Sequence, residues 1–437
     1  MNVKLSFKSV RSRMRESVRI PLLYDEWRKE RKRLAQIPPA PQTRQDVRSI
    51  IIAPADVISL TGSKGDEAMI AALVEGVRRH IPDCRFGIFS YGGEASHANI
   101  EPGVTPEPVW ANPWSFRRVL DTVARYDAVA IVGGDVLDGY YTPITSLRLW
   151  MLGDLATRMG KPAVVLGFSF NASPSPKLGK CLNALDPALN VCVRDAVSLE
   201  RFNRFSNIPG RLVADSAFLL HPRTDGSEVT RIRAWAEQQR ARGRTVCGFN
   251  LHPMLIKSGD PVQLQALVDS AVATLSGLHD RRPVSFLLIP HDFRGGTLGD
   301  DAVLGPIYER IRADFGEHAI YPSAPLHAAE LKALAGCTDF VVTGRMHLAI
   351  ASLGQGVPVA VITYQDKFQG LFQHFGLPES LMMPPDRIRD PAEFTKTVSA
   401  ALDAKQGLAE QVALKLPEVL RLAELNLSPL LGNVHDG

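Results

Sequence analysis

The chain has 437 residues, of which 45% are hydrophobic and 22% are charged, as in ordinary globular proteins. This composition excludes a disordered, collagen-like or small disulfide-built protein, and no run of about 18 apolar residues is present to cross a bilayer. The net charge is +4, but residues 1–48 carry 13 basic and 5 acidic side chains, so the remainder is net negative at −4. That distribution argues against nucleic-acid binding by the globular body.

The basic N-terminus precedes a Pro-rich segment at residues 38–41, which is typical of a stiff linker. Residues 1–15 contain no acid, and apolar side chains recur at four-residue spacing at Val10, Met14 and Val18. This spacing predicts one apolar face of a helix. Three interpretations stay open: an anchor on anionic lipid through residues 1–36, a transit peptide, and a solvated tail without a function.

The first half of the chain alternates short apolar runs with amphipathic segments. Strands are predicted at residues 48–54, 85–90, 127–132, 162–167, 191–193 and 211–213. Helices are predicted at residues 66–80, 115–124, 144–159 and 177–185.

A stretch rich in Arg, Glu, Gln and Gly, residues 223–244, is interpreted as the break before a second α/β half. Strands follow at residues 246–250, 284–290, 340–342 and 358–362. Helices follow at residues 262–278, 302–314, 328–335, 346–353, 368–374, 391–404 and 409–424.

Strands that alternate with helices predict parallel sheets. The sequence therefore predicts an α/β protein with two Rossmann-like domains facing a cleft. The domains are placed at residues 48–225 and 245–390, after an extension at 1–47 and before C-terminal helices at 391–437. In such folds, ligands bind beyond the carboxyl ends of the strands.

Two glycine-containing loops follow strands of the first half. Gly65 and Asp66 open the predicted helix 66–80, where backbone N–H groups favour an anion, or where Asp66 simply caps the helix. Gly133 and Gly134 permit close approach of a ligand to the backbone, and Asp135 is suited to bind sugar hydroxyls or to act as a base. The alternative for this second loop is a plain Gly-rich turn.

Arg194 ends another predicted strand of the first half. Its guanidinium is suited to a carboxylate or phosphate, and the alternative is pairing with Asp195 to cap the next helix.

The second half has its polar residues at equivalent places. His291 follows strand 284–290, either as a proton-transfer group or as an ordinary histidine. Residues 343–347 place Gly344, Arg345 and His347 at a helix N-terminus. That combination favours a substrate with phosphate and carboxylate groups over incidental capping. Lys367 adds a positive charge at the start of the next helix.

Taken in this order, the motifs resemble those of the polysaccharide pyruvyl transferase family. The motifs that carry the resemblance are residues 62–67, Gly133-Gly134-Asp135, residues 193–195 with Ser198, and residues 343–347. It covers roughly residues 50–376 and excludes the basic extension. The chain departs from the family at Asp135, where many members have a third glycine, and at residues 168–171.

The resemblance implies a glycosyltransferase-B-like fold with an acceptor-side first domain and a donor-side second domain. It also implies transfer of the pyruvyl group of phosphoenolpyruvate to two hydroxyls of a sugar, as a ketal. The acceptor would be an exo- or capsular polysaccharide or its lipid-linked precursor. The family's Arg-x-His pair maps onto Arg345 and His347, and a further substrate-binding arginine onto Arg194.

Within that chemistry, His347 is expected to do the acid–base work, with Asp135 and His291 as further candidates. Arg345, Arg194 and Lys367 are expected to bind the anionic donor. No cofactor and no metal are expected, since the sequence has neither CxxC nor HExxH. The five scattered cysteines are expected to be buried thiols of a reducing compartment.

Two other functions stay open. One is a nucleotide-sugar glycosyltransferase of the same architecture, and the other is a non-catalytic member of a polysaccharide-assembly complex. A cytoplasmic location is expected, with peripheral contact at the inner membrane if residues 1–36 act as an anchor.

Overall fold

The computed structural model describes residues 7–37, 47–92, 100–111, 115–256, 260–295, 299–363 and 366–431. The predicted linker at residues 38–41 lies outside the described residues. The described residues group into two compact units. The first takes those of Met1–Leu60, Val74–Val213 and Leu425–Gly437, and the second takes those of Thr61–Leu73 and Ala214–Glu424.

The first unit is built on a parallel sheet, for which the structure describes seven strands in the order β3-β2-β1-β4-β5-β6-β7. They are β1 (Ser49–Ala53), β2 (Arg85–Phe89), β3 (Val104–Glu107), β4 (Ala128–Ile131), β5 (Ala163–Phe168), β6 (Asn190–Val193) and β7 (Arg211–Leu212). The central strands are apolar and buried along their whole length, as expected for a parallel sheet covered on both faces.

The helices of the first unit are α1 (Phe7–Leu34), α3 (Arg117–Val123), α4 (Pro143–Arg158), α5 (Gly179–Leu182), α6 (Ala196–Phe205) and α15 (Ser428–Leu431). A further helix, α2 (Lys64–His80), begins among residues of the second unit and ends among those of the first.

Helix α1 packs onto the first unit, which corrects the prediction of a separate basic extension. Its buried side chains recur at helical spacing, at Ile20, Leu23, Trp27 and Leu34. Trp27 Nε1 donates to Oδ2 of the fully buried Asp154 at 2.8 Å. Val18, which was predicted on the apolar face, is 62% exposed. From Glu16 onward the helix is therefore part of the folded unit rather than a solvated tail.

The second unit is also built on a parallel sheet, with six described strands in the order β10-β9-β8-β11-β12-β13. They are β8 (Thr245–Asn250), β9 (Val284–Leu288), β10 (Ala319–Ile320), β11 (Phe340–Thr343), β12 (Val359–Ile362) and β13 (Met382–Met383). Its helices are α7 (Ser227–Ala241), α8 (Pro261–Arg281), α9 (Asp301–Phe315), α10 (Ala328–Gly336), α11 (Met346–Leu353), α12 (Lys367–Phe375), α13 (Pro391–Asp403) and α14 (Lys405–Glu424).

The predicted fold class of two parallel α/β units is confirmed. Most of the predicted break at residues 223–244 forms α7, which belongs to the second unit. The helix buries only a narrow stripe, at Val229, Ile232, Ala236 and Gln239. Because most of the other side chains of α7 are polar or charged, the stretch has a polar composition although it contains an apolar stripe.

The units also differ from the predicted contiguous domains at the C-terminus, where residues after α14 return to the first unit. There Asn426 Oδ1 accepts a hydrogen bond from Gly167 N at 2.7 Å, and the Leu427 side chain packs against Gly76. Among the residues that the structure describes, no helix is both long and apolar enough to span a bilayer. All five cysteines are buried free thiols, as predicted.

Candidate functional site

Neighbouring strands of the second unit end in polar residues at one edge of the sheet. In the order β9-β8-β11-β12, the chain continues into His291, His252, the segment 344–347 and Lys367. Because parallel strands present their carboxyl ends together, one edge collects these groups. The predicted residues His291, Gly344, Arg345, His347 and Lys367 thus belong to the same unit, as do Gly65 and Asp66 at the start of α2.

The Arg345 guanidinium, which follows β11, is held by two carboxylates from the segment between β9 and α9. Its Nε and Nη2 donate to Asp300 Oδ1 at 2.9 and 2.6 Å, and its Nη1 lies 3.2 Å from Asp292 Oδ2. Asp300 Oδ2 accepts from Asn250 Nδ2 and from the backbone N–H of His291, both at 2.8 Å. Both carboxylates are fully buried, and burial raises the pKa of Asp300 although Arg345 opposes that shift. Arg345 is therefore fixed in direction, and its side chain stays 13% exposed.

His347 lies close to the carboxylate of Asp215, a residue outside the predicted site. The imidazole lies in the first turn of α11, with Nε2 3.5 Å from Asp215 Oδ2. Asp215 is itself held, because its Oδ1 accepts from Ala217 N at 2.9 Å and caps a 3₁₀ helix, Ser216–Leu219. Gly65 packs against the other side of the ring: a Cβ there would lie 2.2 Å from His347 Nδ1. The Nε2 atom is buried and has no hydrogen-bond partner among the described residues, so the arrangement is that of a histidine next to a carboxylate.

The loop at the start of α2 is paired with the loop after β9. Lys64 N donates to His291 O at 3.3 Å, and Phe293 N donates to Gly62 O at 3.0 Å. Lys64 Nζ lies 2.5 Å from Glu67 Oε2, and both side chains are buried. The sequence had pointed to Gly65 and the half-buried Asp66 in this loop, but not to the Lys64–Glu67 pair.

Glu67 also satisfies the N-terminus of another helix. Its Oε1 accepts from Ala328 N at 2.7 Å, at the first residue of α10, and lies 3.3 Å from His327 Nε2. Burial raises the pKa of Glu67, and the positive charge of Lys64 is the largest opposing cause. The carboxylate therefore supports α10 and fixes Lys64 beside the His291 loop.

Two buried histidines flank this group. His252 is fully buried with Nε2 3.0 Å from Gly344 O, and burial, followed by the charge of Arg345, lowers its pKa well below the ordinary value. Lys367 contributes to the same shift. Burial also lowers the pKa of His291, with the neighbouring His347 and Arg345 as further causes. Both rings are neutral near neutral pH, and the sequence missed His252 although it follows a strand as His291 does.

The remaining predicted residues lie in the first unit, at the carboxyl ends of β4 and β6. Gly134 adopts a positive φ of 52°, and its carbonyl accepts from Ser169 N at 2.9 Å. Ser169 Oγ accepts in turn from Nε of Arg194, which is only 2% exposed. Gly133 packs against Leu137, and Asp135 is half-buried.

The adjacent Asp195 caps α6, because its carboxylate accepts from the backbone N–H and the hydroxyl of Ser198. The capping alternative is thus correct for Asp195, while Arg194 bonds elsewhere.

Comparisons with known proteins agree with the fold and the motif order. A sequence profile described as Polysaccharide pyruvyl transferase matches residues 64–366. The Amylovoran biosynthesis protein AmsJ of Erwinia amylovora is 26% identical over 326 residues, which cover 69% of this chain and 72% of AmsJ.

Solved structures share the fold at low identity. A UDP-GlcNAc 2-epimerase from Neisseria meningitidis matches with a TM-score of 0.53 and 10% identity, over 88% of this chain and 99% of that one. A UDP-glucosyltransferase from Polygonum tinctorium matches with a TM-score of 0.53 and 12% identity, over 89% and 98%. The architecture is therefore glycosyltransferase-B-like.

Proposed function

The chain belongs to the polysaccharide pyruvyl transferase family, and we propose that it transfers the pyruvyl group of phosphoenolpyruvate to two hydroxyls of a sugar. The sugar is part of an exo- or capsular polysaccharide or of its lipid-linked precursor, and the product is a cyclic pyruvate ketal with release of phosphate. Family membership makes the protein a transferase of polysaccharide biosynthesis; the donor and the ketal chemistry are the proposal.

The observation that carries this proposal is the His347–Asp215 pair beside Arg345 and Lys64. In the reaction, one sugar hydroxyl adds to C2 of phosphoenolpyruvate while a proton is delivered to its methylene carbon, which becomes the methyl group. The second hydroxyl then displaces phosphate from C2. A histidine next to a carboxylate is suited to deliver the first proton, because its ring can hold a proton and pass it to the reacting carbon.

The remaining roles follow from position and charge. The buried neutral ring of His291 and the carboxylate of Asp135 are candidates to accept protons from the two hydroxyls. Arg345 is oriented by two buried carboxylates, so its exposed part can meet a donor anion without a loss of side-chain freedom on binding. Lys367 and Arg194 are further candidates for the donor's carboxylate and phosphate.

The test measures phosphate release from phosphoenolpyruvate with free and lipid-linked sugar acceptors, and identifies the ketal by the methyl signal in NMR spectra. We expect His347→Ala to lower the acceptor-dependent rate by about 100-fold or more. Asp215→Asn should lower kcat with a smaller change in KM, and Arg345→Ala should raise KM for phosphoenolpyruvate. The exposed Leu414 provides a matched control, since Leu414→Ala should behave as the wild type.

Retained transfer in His347→Ala would overturn the assigned role of this histidine. Absence of both phosphoenolpyruvate binding and phosphate release would overturn the donor assignment. Binding of a UDP-sugar in the same experiment would then indicate the nucleotide-sugar glycosyltransferase that the sequence left open.

We also propose that catalysis needs no metal, so that EDTA should leave the rate unchanged, and that the protein acts in the cytoplasm at an anionic membrane surface. Helix α1 exposes Val18 and Leu22 beside Arg19, Lys29 and Lys32, a pattern suited to peripheral lipid contact. We expect the wild type to co-sediment with phosphatidylglycerol vesicles but not with phosphatidylcholine vesicles. Leu22→Glu should weaken the co-sedimentation with phosphatidylglycerol. Equal sedimentation with both would contradict the membrane contact.

A further inference from the structure

Exposed apolar side chains gather at one edge of the first unit's sheet. They are Ile58, Tyr91, Tyr140 and Tyr141, which are 65%, 52%, 56% and 38% exposed, and we call them the aromatic edge. They follow β1, β2 and β4, which are neighbours in the order β2-β1-β4. Because these strands are parallel, their loops leave the same carboxyl edge, where α/β proteins bind ligands.

The loop that carries Tyr140 and Tyr141 is held from several sides. Asp138 is 4% exposed, and its carboxylate accepts from Tyr140 N at 2.8 Å and from Asn171 N at 3.2 Å. In addition, the buried Trp150 donates from Nε1 to Leu137 O at 2.9 Å. The backbone is therefore ordered while the two rings remain in solvent, so the exposure is not that of a loose loop.

The aromatic edge also has internal order. The rings of Tyr140 and Tyr141 meet edge to face with centroids 5.3 Å apart, and the Tyr141 hydroxyl donates to Asp135 Oδ2 at 3.1 Å. Tyr91 N donates to Val57 O at 2.9 Å, which ties the loop after β2 to the loop after β1.

The charges of these loops select the class of ligand. The described residues 55–60, 90–92 and 134–142 contain three carboxylates, Asp56, Asp135 and Asp138, and no basic side chain. An acidic surface repels phosphoenolpyruvate and anionic lipid. Aromatic faces next to a carboxylate suit a neutral polyol instead, because the rings cover apolar C–H groups and the carboxylate accepts hydroxyl hydrogens.

We propose that the aromatic edge binds the acceptor sugar, with its rings against the pyranose and Asp135 at its hydroxyls. The assignment of this sugar as an acceptor rests on the proposed function, whereas binding of a neutral glycoside at this edge does not. Tyr140 and Tyr141 supply the ring faces, and the Tyr141 hydroxyl directs the Asp135 carboxylate.

Saturation-transfer difference NMR tests the site without phosphoenolpyruvate. The probes are methyl β-D-glucopyranoside and methyl β-D-galactopyranoside, which both offer a pair of hydroxyls that a ketal can bridge. We expect transfer to at least one probe in the wild type and in Tyr140→Phe, and a loss of several-fold in Tyr140→Ala and Tyr141→Ala. Leu414→Ala, which removes an exposed apolar side chain from α14, should match the wild type. No transfer to either probe in the wild type, or equal transfer in both alanine variants, would overturn the proposal.

Steady-state kinetics separate this proposal from the proposed function. The alanine variants should raise KM for the acceptor by about tenfold, as for the loss of one aromatic contact, and leave KM for phosphoenolpyruvate within about twofold. Pyruvyl transfer with an unchanged acceptor KM in both variants would overturn the site and leave the function standing. Glycoside binding that depends on the tyrosines, without pyruvyl transfer, would support the site and overturn the proposed function.

Discussion

The buried pair of Arg345 and Asp300 permits a quantitative test of the site. Asp300 is fully buried and accepts two hydrogen bonds from Arg345, one from Asn250 and one from the His291 backbone. Removing one partner of a buried ion pair costs about 3–5 kcal/mol. In Asp300→Ala, Arg345 keeps its contact with Asp292, which lowers the loss of stability. Asn250 Nδ2 and the His291 N–H lose their acceptor, and each raises the loss by about 1–3 kcal/mol.

We therefore expect Asp300→Ala to destabilise the protein by about 4 kcal/mol. For a unit of about 150–250 residues this corresponds to a fall in Tm of about 8–16 °C. Differential scanning calorimetry measures this change in Tm. The exposed pair of Asp269 and Arg310 provides the control, since both side chains are about half exposed; Asp269→Ala should leave Tm nearly unchanged.

A double-mutant cycle decides whether the pair acts as a unit. Arg345→Met should also destabilise, because it leaves two buried carboxylates with less compensation. The double variant Asp300→Ala/Arg345→Met should be no less stable than the worse single variant, with a coupling energy of about 2 kcal/mol or more. Additive losses would refute the argument that Arg345 is held in place by Asp300.

Three further predictions concern His252, α1 and the His347 ring. In His252→Asn, the free energy of unfolding should depend less on pH than in the wild type. Burial lowers the pKa of His252 in the folded protein, so the unfolded chain takes up the proton first as the pH falls. Between about pH 7.5 and about pH 5.5 the wild type should therefore lose about 1.4 kcal/mol more stability than the variant. The same pH dependence of the unfolding free energy in both proteins, measured with urea, would contradict this. Trp27→Ala should cost about 3–5 kcal/mol by calorimetry, because the ring is 3% exposed, whereas the exposed Leu22→Ala should cost little. Gly65→Ala should reduce kcat about 100-fold, because its Cβ would displace the His347 ring. In the control Gly305→Ala, the new Cβ meets no atom within 4 Å, so this variant should retain the wild-type rate. Equal rates in Gly65→Ala and the wild type would show that the position of the His347 ring does not matter.

The local pattern was sufficient for most of the regular elements and for most of the polar residues that directly follow a strand. Apolar runs separated by amphipathic segments predicted both parallel sheets, and α11 was predicted with its observed bounds. His291, Arg345 and His347 were predicted as site residues because each sits just beyond a buried strand, where side chains of an α/β protein meet a ligand. Short strands such as β10 and β13 were missed because two residues carry no periodicity.

Long-range pairs depended on the tertiary structure. Asp215 meets His347, and Glu67 meets the first turn of α10, across separations that no spacing rule covers. Likewise, a basic and apolar helix is equally compatible with water, lipid or a protein surface, and only the partner side chains of α4, including Asp154, show that Trp27 is buried. The sequence alone determined which residues form strands and end at an edge, because that information is local. The tertiary structure decided which charges are paired and which rings stay exposed, because burial and charge depend on atoms brought from distant parts of the chain.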